Sequence, residues 1–222
     1  MNNLFSFVTI ITAIVTAFVA VIGILLTWKQ IKINNKHHLF DKRINSILFV
    51  EELLTTYKQN RTRLNNEKNE GLLLTNDFEF TFLTNNTYLE AITAVIGEPL
   101  KEEEHKKFLY KLEDMKKESI KIEYLFSKGK GEILSEFIIK YKELLFSMYQ
   151  YQILLIHIKE QNDKNVKYKI LTTAEDLSEQ FGEKKYKEKY VETLKNLEVA
   201  YLKIGENNII EKVRKETHIL KS

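Results

Sequence analysis

The 222-residue chain holds no cysteine, which excludes a disulfide framework and any thiolate zinc site. Its 34 Lys and Arg face 31 Asp and Glu in close mixture, and the resulting formal charge of +3 gives no strong field for a nucleic-acid partner. One Pro and seven Gly against abundant Lys, Glu, Leu and Ile argue for long helices and an all-α chain.

The first element is an apolar run from Leu4 to Trp28 without one charged side chain, the first charge being Lys29. A helix rising ~1.5 Å per residue crosses a ~30 Å hydrocarbon layer in about 20 residues, so this run predicts a transmembrane helix over residues 1–28. A cleaved secretory signal would need a basic start, a shorter apolar stretch and a small-x-small site after it. Here Ala17-Phe18-Val19-Ala20 lies inside the run, and the expectation is an uncleaved anchor. Lys29, Lys32, Lys36, Lys42 and Arg43 all follow the span against a single Asp41. The positive-inside rule then puts residues 29–222 in the cytoplasm and the N-terminus outside, in a single-pass membrane protein. Trp28, Lys29, Lys32 and Lys36 form the expected membrane interface, with the bilayer as partner. Within the span Thr12, Thr16 and Ala20 recur every four residues, a small-residue face suited to self-association in a homo-oligomer.

Residues 29–70 are expected to continue the span as a juxtamembrane helix. Phe40, Ile44, Ile47 and Leu54, with Leu48 and Tyr57 beside them, form a stripe that needs a partner surface. Phe40, Asp41 and Arg43 are the candidate docking residues. Arg43 borders that stripe and suits a bidentate contact to a carboxylate on a packed helix, while Asp41 can reach Lys36 or His37 one turn back.

Residues 71–222 are expected to form a bundle of long amphipathic helices. Gly71 marks a turn, and the alternation Phe78-Glu79-Phe80-Thr81-Phe82 resembles a short extended connector. A short helix from Thr87 to Ile96 is stopped by Gly97 and Pro99. Phe108, Leu112, Met115, Ser119, Ile122 and Phe126 then step by four and three along a helix from about Lys101 to Ser127. Gly129-Lys130-Gly131 breaks it, and Glu132 to Glu160 forms an antiparallel partner. After a polar loop at 161–165, Thr172 and Thr173 stand before Glu175 and Asp176 as a capping box, opening one helix that ends near Gly205. A last helix is predicted from Asn208 to Leu220.

The block Phe40-Asp41-Lys42-Arg43 soon after one N-terminal span, and Tyr124-Leu125-Phe126 leading through Glu132-Ile133 into another helix, resemble a widespread group of uncharacterised bacterial single-pass membrane-anchored helical proteins. Members also end a C-terminal helix on an aromatic–Leu pair, here Tyr201-Leu202. Ile47-Leu48 stands where members carry Tyr-Glu, and Ser127 where they carry Gly. The resemblance implies the architecture of anchor plus helical bundle.

No catalytic motif emerges, neither a nucleophile elbow nor a phosphate loop, and no cofactor or metal site is expected. Glu102-x-x-His105 has the spacing used in di-iron bundles, but no second Glu-x-x-His accompanies it and Glu102–Lys107 looks like a solvated helix start. His37 and His38 are adjacent and so do not share a helical face. Lys184-Lys185-Tyr186-Lys187-Glu188-Lys189-Tyr190 interleaves cations with aromatics as single-stranded nucleic-acid sites do, although Glu183, Glu188 and Glu192 dilute the charge and Tyr190 falls on an apolar stripe. The leading expectation is therefore a non-enzymatic, membrane-anchored interaction or regulatory module acting on a protein partner or a second copy. Its layout also suits a membrane effector of bacterial stress or phage defence. The alternative is a membrane-tethered nucleic-acid-binding protein.

Overall fold

A computed structural model describes residues 2–67, 81–96, 98–168 and 170–218, all of them helical or in short connections, with no strand among them. Helix α1 runs unbroken from Asn2 to Glu67, 66 residues that extend for about 100 Å at 1.5 Å per residue. It contains no proline, and its lone glycine, Gly23, sits where nothing approaches it. The helix is long and apolar enough to cross a membrane: none of its most apolar window is buried, and Ile14, Phe18, Ile24 and Leu25 are all exposed. Two environments therefore act on one helix, because from Ser46 to Leu64 the same rod is a core element of the bundle.

The buried stripe of α1 is Ile47, Val50, Leu53, Tyr57 and Leu64, flanked by Ser46, Phe49 and Thr56. Leu48, expected beside that stripe, points outward instead, because the packed face is centred on Leu53 and Tyr57, on the opposite side of the helix from Leu48. Helix α2 is a single turn, Thr81–Thr84, so the extended connector fails at its end. Here the chain turns because Tyr141 donates to the Leu83 carbonyl at 2.6 Å and Asn60 donates to that of Phe82 at 3.0 Å. Gly71, Phe78–Phe80, Gly97 and Leu220 lie outside the described residues. The short helix before Pro99 is present as a 3-10 helix, Glu90–Ile96.

Helix α3 (Glu102–Leu125) buries the periodic stripe read from the sequence: Phe108, Leu112, Met115, Ser119 and Ile122, with Phe126 beyond its end. The Ser119 hydroxyl is satisfied by the Lys116 carbonyl at 2.7 Å. Each fully buried apolar side chain in such a stripe contributes roughly 1.5–3 kcal/mol. Glu102, Glu103 and Glu104 fill its first turn, where the helix dipole favours negative charge.

Helix α4 (Lys130–Lys167) is the central element, packed along α3 on one side and α6 on the other. It runs straight through the polar stretch at 161–165 that was expected to be a loop. Gln161 donates to Asn165 one turn later at 2.9 Å, and buried Asn165 donates to Thr172 at 3.1 Å, so a polar run is held helical by its own side chains. Helix α5 (Ala174–Phe181) opens on the expected capping box: Thr173 accepts from the Asp176 amide, and Asp176 accepts from the Thr173 amide at 3.0 Å. The single helix expected from there to Gly205 is broken at Gly182, whose φ of 65° is left-handed, and α6 (Glu183–Glu206) leaves at a new angle. Helix α7 (Ile209–His218) folds back over α1, α4 and α6.

Gly131 marks a close approach of α3 and α4: a Cβ there would lie 2.7 Å from the Glu123 carbonyl oxygen and 2.9 Å from that of Ile122. Gly131→Ala forces those backbones apart and is expected to cost about 1–3 kcal/mol. Gly205 sits in α6 with nothing within 4 Å, so Gly205→Ala should stabilise by about 0.5–1 kcal/mol. Urea titration of the detergent-solubilised chain, followed by circular dichroism, checks both; equal midpoints for the two variants would refute the close approach.

Candidate functional site at the base of the bundle

The end of the bundle nearest the exposed apolar half of α1 is built where α1 leaves it. Trp28, Lys29, Lys32 and Lys36 are exposed on α1, and the Lys32 ammonium lies 5.7 Å from the centre of the Trp28 ring. Residues 29–38 touch no other element deeply enough to be shielded, so they form a stalk of about 15 Å at 1.5 Å per residue. Thr12, Thr16 and Ala20 are exposed in the span, with the Thr16 hydroxyl donating to the Thr12 carbonyl at 2.8 Å. That bond leaves the face small with the Thr16 donor satisfied within the helix.

Shielding begins at Leu39 and Phe40, both half-buried, while Asp41 stays exposed and makes no ion pair among the described residues. Arg43 is the docking side chain, but its partners are not the expected carboxylate. Its Nε donates to the Leu125 carbonyl at 2.7 Å, its Nη1 approaches the Glu216 carbonyl at 3.5 Å, and the guanidinium stands 5.8 Å from the Phe126 ring centre. Leu125 is the last residue of α3, and its carbonyl is one of the acceptors a helix end leaves unfilled. A cation from another helix is favoured there by the dipole as well as by the hydrogen bond.

Glu216 of α7 closes the same corner. Its carboxylate accepts from the Ser127 hydroxyl at 2.5 Å and from the Ser127 amide at 3.3 Å, and it pairs with Lys130. Burial alone would raise the Glu216 pKa, but the bonds from Lys130 and Ser127 outweigh it and hold the group below the ordinary glutamate value. Arg214 forks onto Glu51 at 2.8 and 2.6 Å, tying α7 to α1 a second time. Glu216, Ser127, Lys130, Arg214 and Glu51 carry no sequence signal for this role, since each reads as a solvated charge or turn residue until α7 is folded back.

A second clamp joins α1 to α6. Buried Tyr57 donates to Glu198 at 2.7 Å, and Arg61 forks onto both oxygens of the same carboxylate while lying over Tyr201. Burial, with the Glu198 bond adding to it, pushes the Tyr57 hydroxyl well above its usual pKa, so it serves as a fixed donor. The Tyr201-Leu202 pair lines the shallow depression between α1 and α6, beside Leu54 and Lys58.

The remaining sequence candidates have local partners. Glu102 pairs with Lys106, and His105 Nδ1 lies 2.6 Å from the Tyr149 hydroxyl, which donates to the Pro99 carbonyl. His105 thus fixes the turn before α3. In the Lys184–Tyr190 stretch, Tyr190 is buried and Lys189 pairs with Glu192 at 3.0 Å. Among the described residues no cluster of three His, Asp or Glu side chains could hold a metal. Comparison with known protein families, with curated proteins and with solved structures finds no match to this chain.

Arg43→Ala strips a charged donor from a half-buried carbonyl and should cost about 1.5–3 kcal/mol, with Arg43→Lys recovering only part because an ammonium cannot fork to two carbonyls. Chemical unfolding of the full chain measures both. For Glu216 the lowered folded-state pKa means stability that is present above the ordinary glutamate value of 4.5 and is lost as pH falls through the lower one. Glu216→Gln should therefore be less stable than the parent at neutral pH and converge with it in acid; a gap that persists unchanged at low pH would refute the carboxylate clamp.

Proposed function

We propose that this protein is a single-pass anchor of the bacterial cytoplasmic membrane, N-terminus outside, whose cytoplasmic helical bundle is a non-enzymatic interaction or regulatory module. The observation that carries this reading is the continuity of α1: the helix with a fully exposed apolar first half is also a core helix of the bundle, with no joint between. Lipid supplies the cover the apolar half lacks, and the lysines that follow Trp28 set the orientation. A rigid connection of this kind transmits rotation and tilt of the span to the bundle, which a mere tether would not do. The resemblance carried by Phe40–Arg43 and Tyr124–Phe126 fits, since Arg43 and the segment after Tyr124 meet at the base. Burial of Tyr190 leaves Tyr186 as the aromatic available for stacking in the Lys184–Tyr190 stretch, which weakens the nucleic-acid alternative.

Chemical crosslinking in native membranes, followed by mass determination of the detergent-purified complex, tests the proposal. A discrete species containing a second copy or a stoichiometric protein is expected. Deletion of residues 4–28 should abolish both membrane association and that species, and a chain that remains monomeric and solitary would sink the interaction role. Inserting one Ala between Asn34 and Asn35 turns the bundle by about 100° against the span, whereas seven return it to within about 20°. Crosslinking should be lost with one and restored with seven; indifference to insertion length would mean that α1 acts only as a tether.

A further inference from the structure

The cations that follow the span are not spread around α1. At about 100° per residue, Lys29, Lys32, Lys36 and Arg43 fall within an arc of roughly 60°, with Trp28 at its edge. The opposite side of the stalk carries Gln30, Ile31, Asn34, His37 and His38, and only Lys42 lies away from the cationic face. Arg43 reports which way that face points, because its guanidinium bonds the Leu125 carbonyl at the base of the bundle. The lysines therefore lie beneath the overhang of the bundle, on the side where the turn after α3 exposes Lys128.

Orientation by the positive-inside rule depends on the number of lysines near a span and makes no demand on their angular position. A one-sided cluster is what a bound anion selects. We propose that Trp28, Lys29, Lys32 and Lys36 form a site for the headgroup of an anionic phospholipid in the leaflet facing the bundle, an inference that rests on the membrane-anchor reading above. Depth supports it: the headgroup layer is roughly 5–8 Å thick on each side, which covers Lys29 and Lys32, and the four-carbon stem lets Lys36 reach back to it. The Trp28 ring sits at the end of the apolar run with Lys32 already 5.7 Å from its centre, so a phosphate held by Lys29 and Lys32 would lie against the indole edge. All three lysines are exposed, and among the described residues no acidic side chain pairs with them.

Trp28 is the sole tryptophan, so its fluorescence reports on this site alone. The full-length protein is reconstituted in phosphatidylcholine vesicles containing equal fractions of either brominated phosphatidylglycerol or brominated phosphatidylcholine. Preferential quenching by the anionic lipid is expected, with a relative affinity of about five-fold, the value of one well-placed lysine. The control keeps the charge but scatters it: Lys32→Gln, Lys36→Gln, Gln30→Lys and Asn35→Lys together distribute three lysines around the helix. That variant should fall to within about two-fold of parity while remaining equally membrane-bound. Equal quenching by both lipids in the parent, or an undiminished preference in the scattered variant, overturns the site. Quenching by neither lipid would instead remove the membrane anchor itself and the site with it.

Discussion

One helix carries two unlike surfaces, and the rest of the structure depends on that constraint. From Phe7 to Trp28 the described side chains of α1 are exposed all round, while residues 46–64 present a single buried stripe to the bundle. Because no proline, bulge or glycine pair interrupts the rod, the rotational setting of the exposed apolar half is locked to that of the packed half. The bundle cannot choose which side of the span it overhangs; Ile47, Val50, Leu53 and Tyr57 have already chosen.

The base of the bundle shows how that choice is secured. For Arg43, a buried ion pair would have cost the desolvation of two charges, with the Coulombic return depending on good geometry. The arrangement found instead sets Arg43 against the spent end of α3, where carbonyls need donors in any case, and keeps Glu216 for the amide and hydroxyl of Ser127 and the ammonium of Lys130. Each charge answers a helix end or a turn, so the corner where α1, α3, α4 and α7 meet is held by groups that would otherwise lack partners. The same logic places the interior tyrosines: Tyr57, Tyr141, Tyr149 and Tyr151 each fill the core with a ring and hand their hydroxyl to another segment, Glu198, Leu83, Pro99 and Glu183 respectively.

How much of this could be seen in the sequence follows from the range of the forces involved. The α3 stripe from Phe108 to Phe126 was legible because a helix packed on one face repeats its apolar residues with its own period. The Thr173–Asp176 cap was legible because both partners lie within four residues. The extension of α4 past Glu160 was not, since Gln161 to Asn165 has loop composition and becomes helical only through Asn165, which is buried against Thr172. Nor was the joint at Gly182: Phe181 and Tyr190 keep a compatible spacing across it, and a left-handed glycine leaves no trace in hydrophobic periodicity. Arg43 stood out as a docking residue, but its acceptors sit 82 and 173 positions away on main-chain atoms, which no side-chain pattern announces.

The position of α7 joins these observations. It is short and polar, with little helical stability of its own, yet it carries both Arg214 for Glu51 and Glu216 for the turn after α3. Ile209 and Val213 bury its inner face, while its charged residues reach the two segments that fix the exit angle of the stalk. Loosening α7 would remove Glu51 and Glu216 contacts together and leave Arg43 holding Leu125 alone. The buried stripe of α1 thus sets how the rod enters the bundle, and α7 braces that setting from outside through Glu51 and the turn after α3.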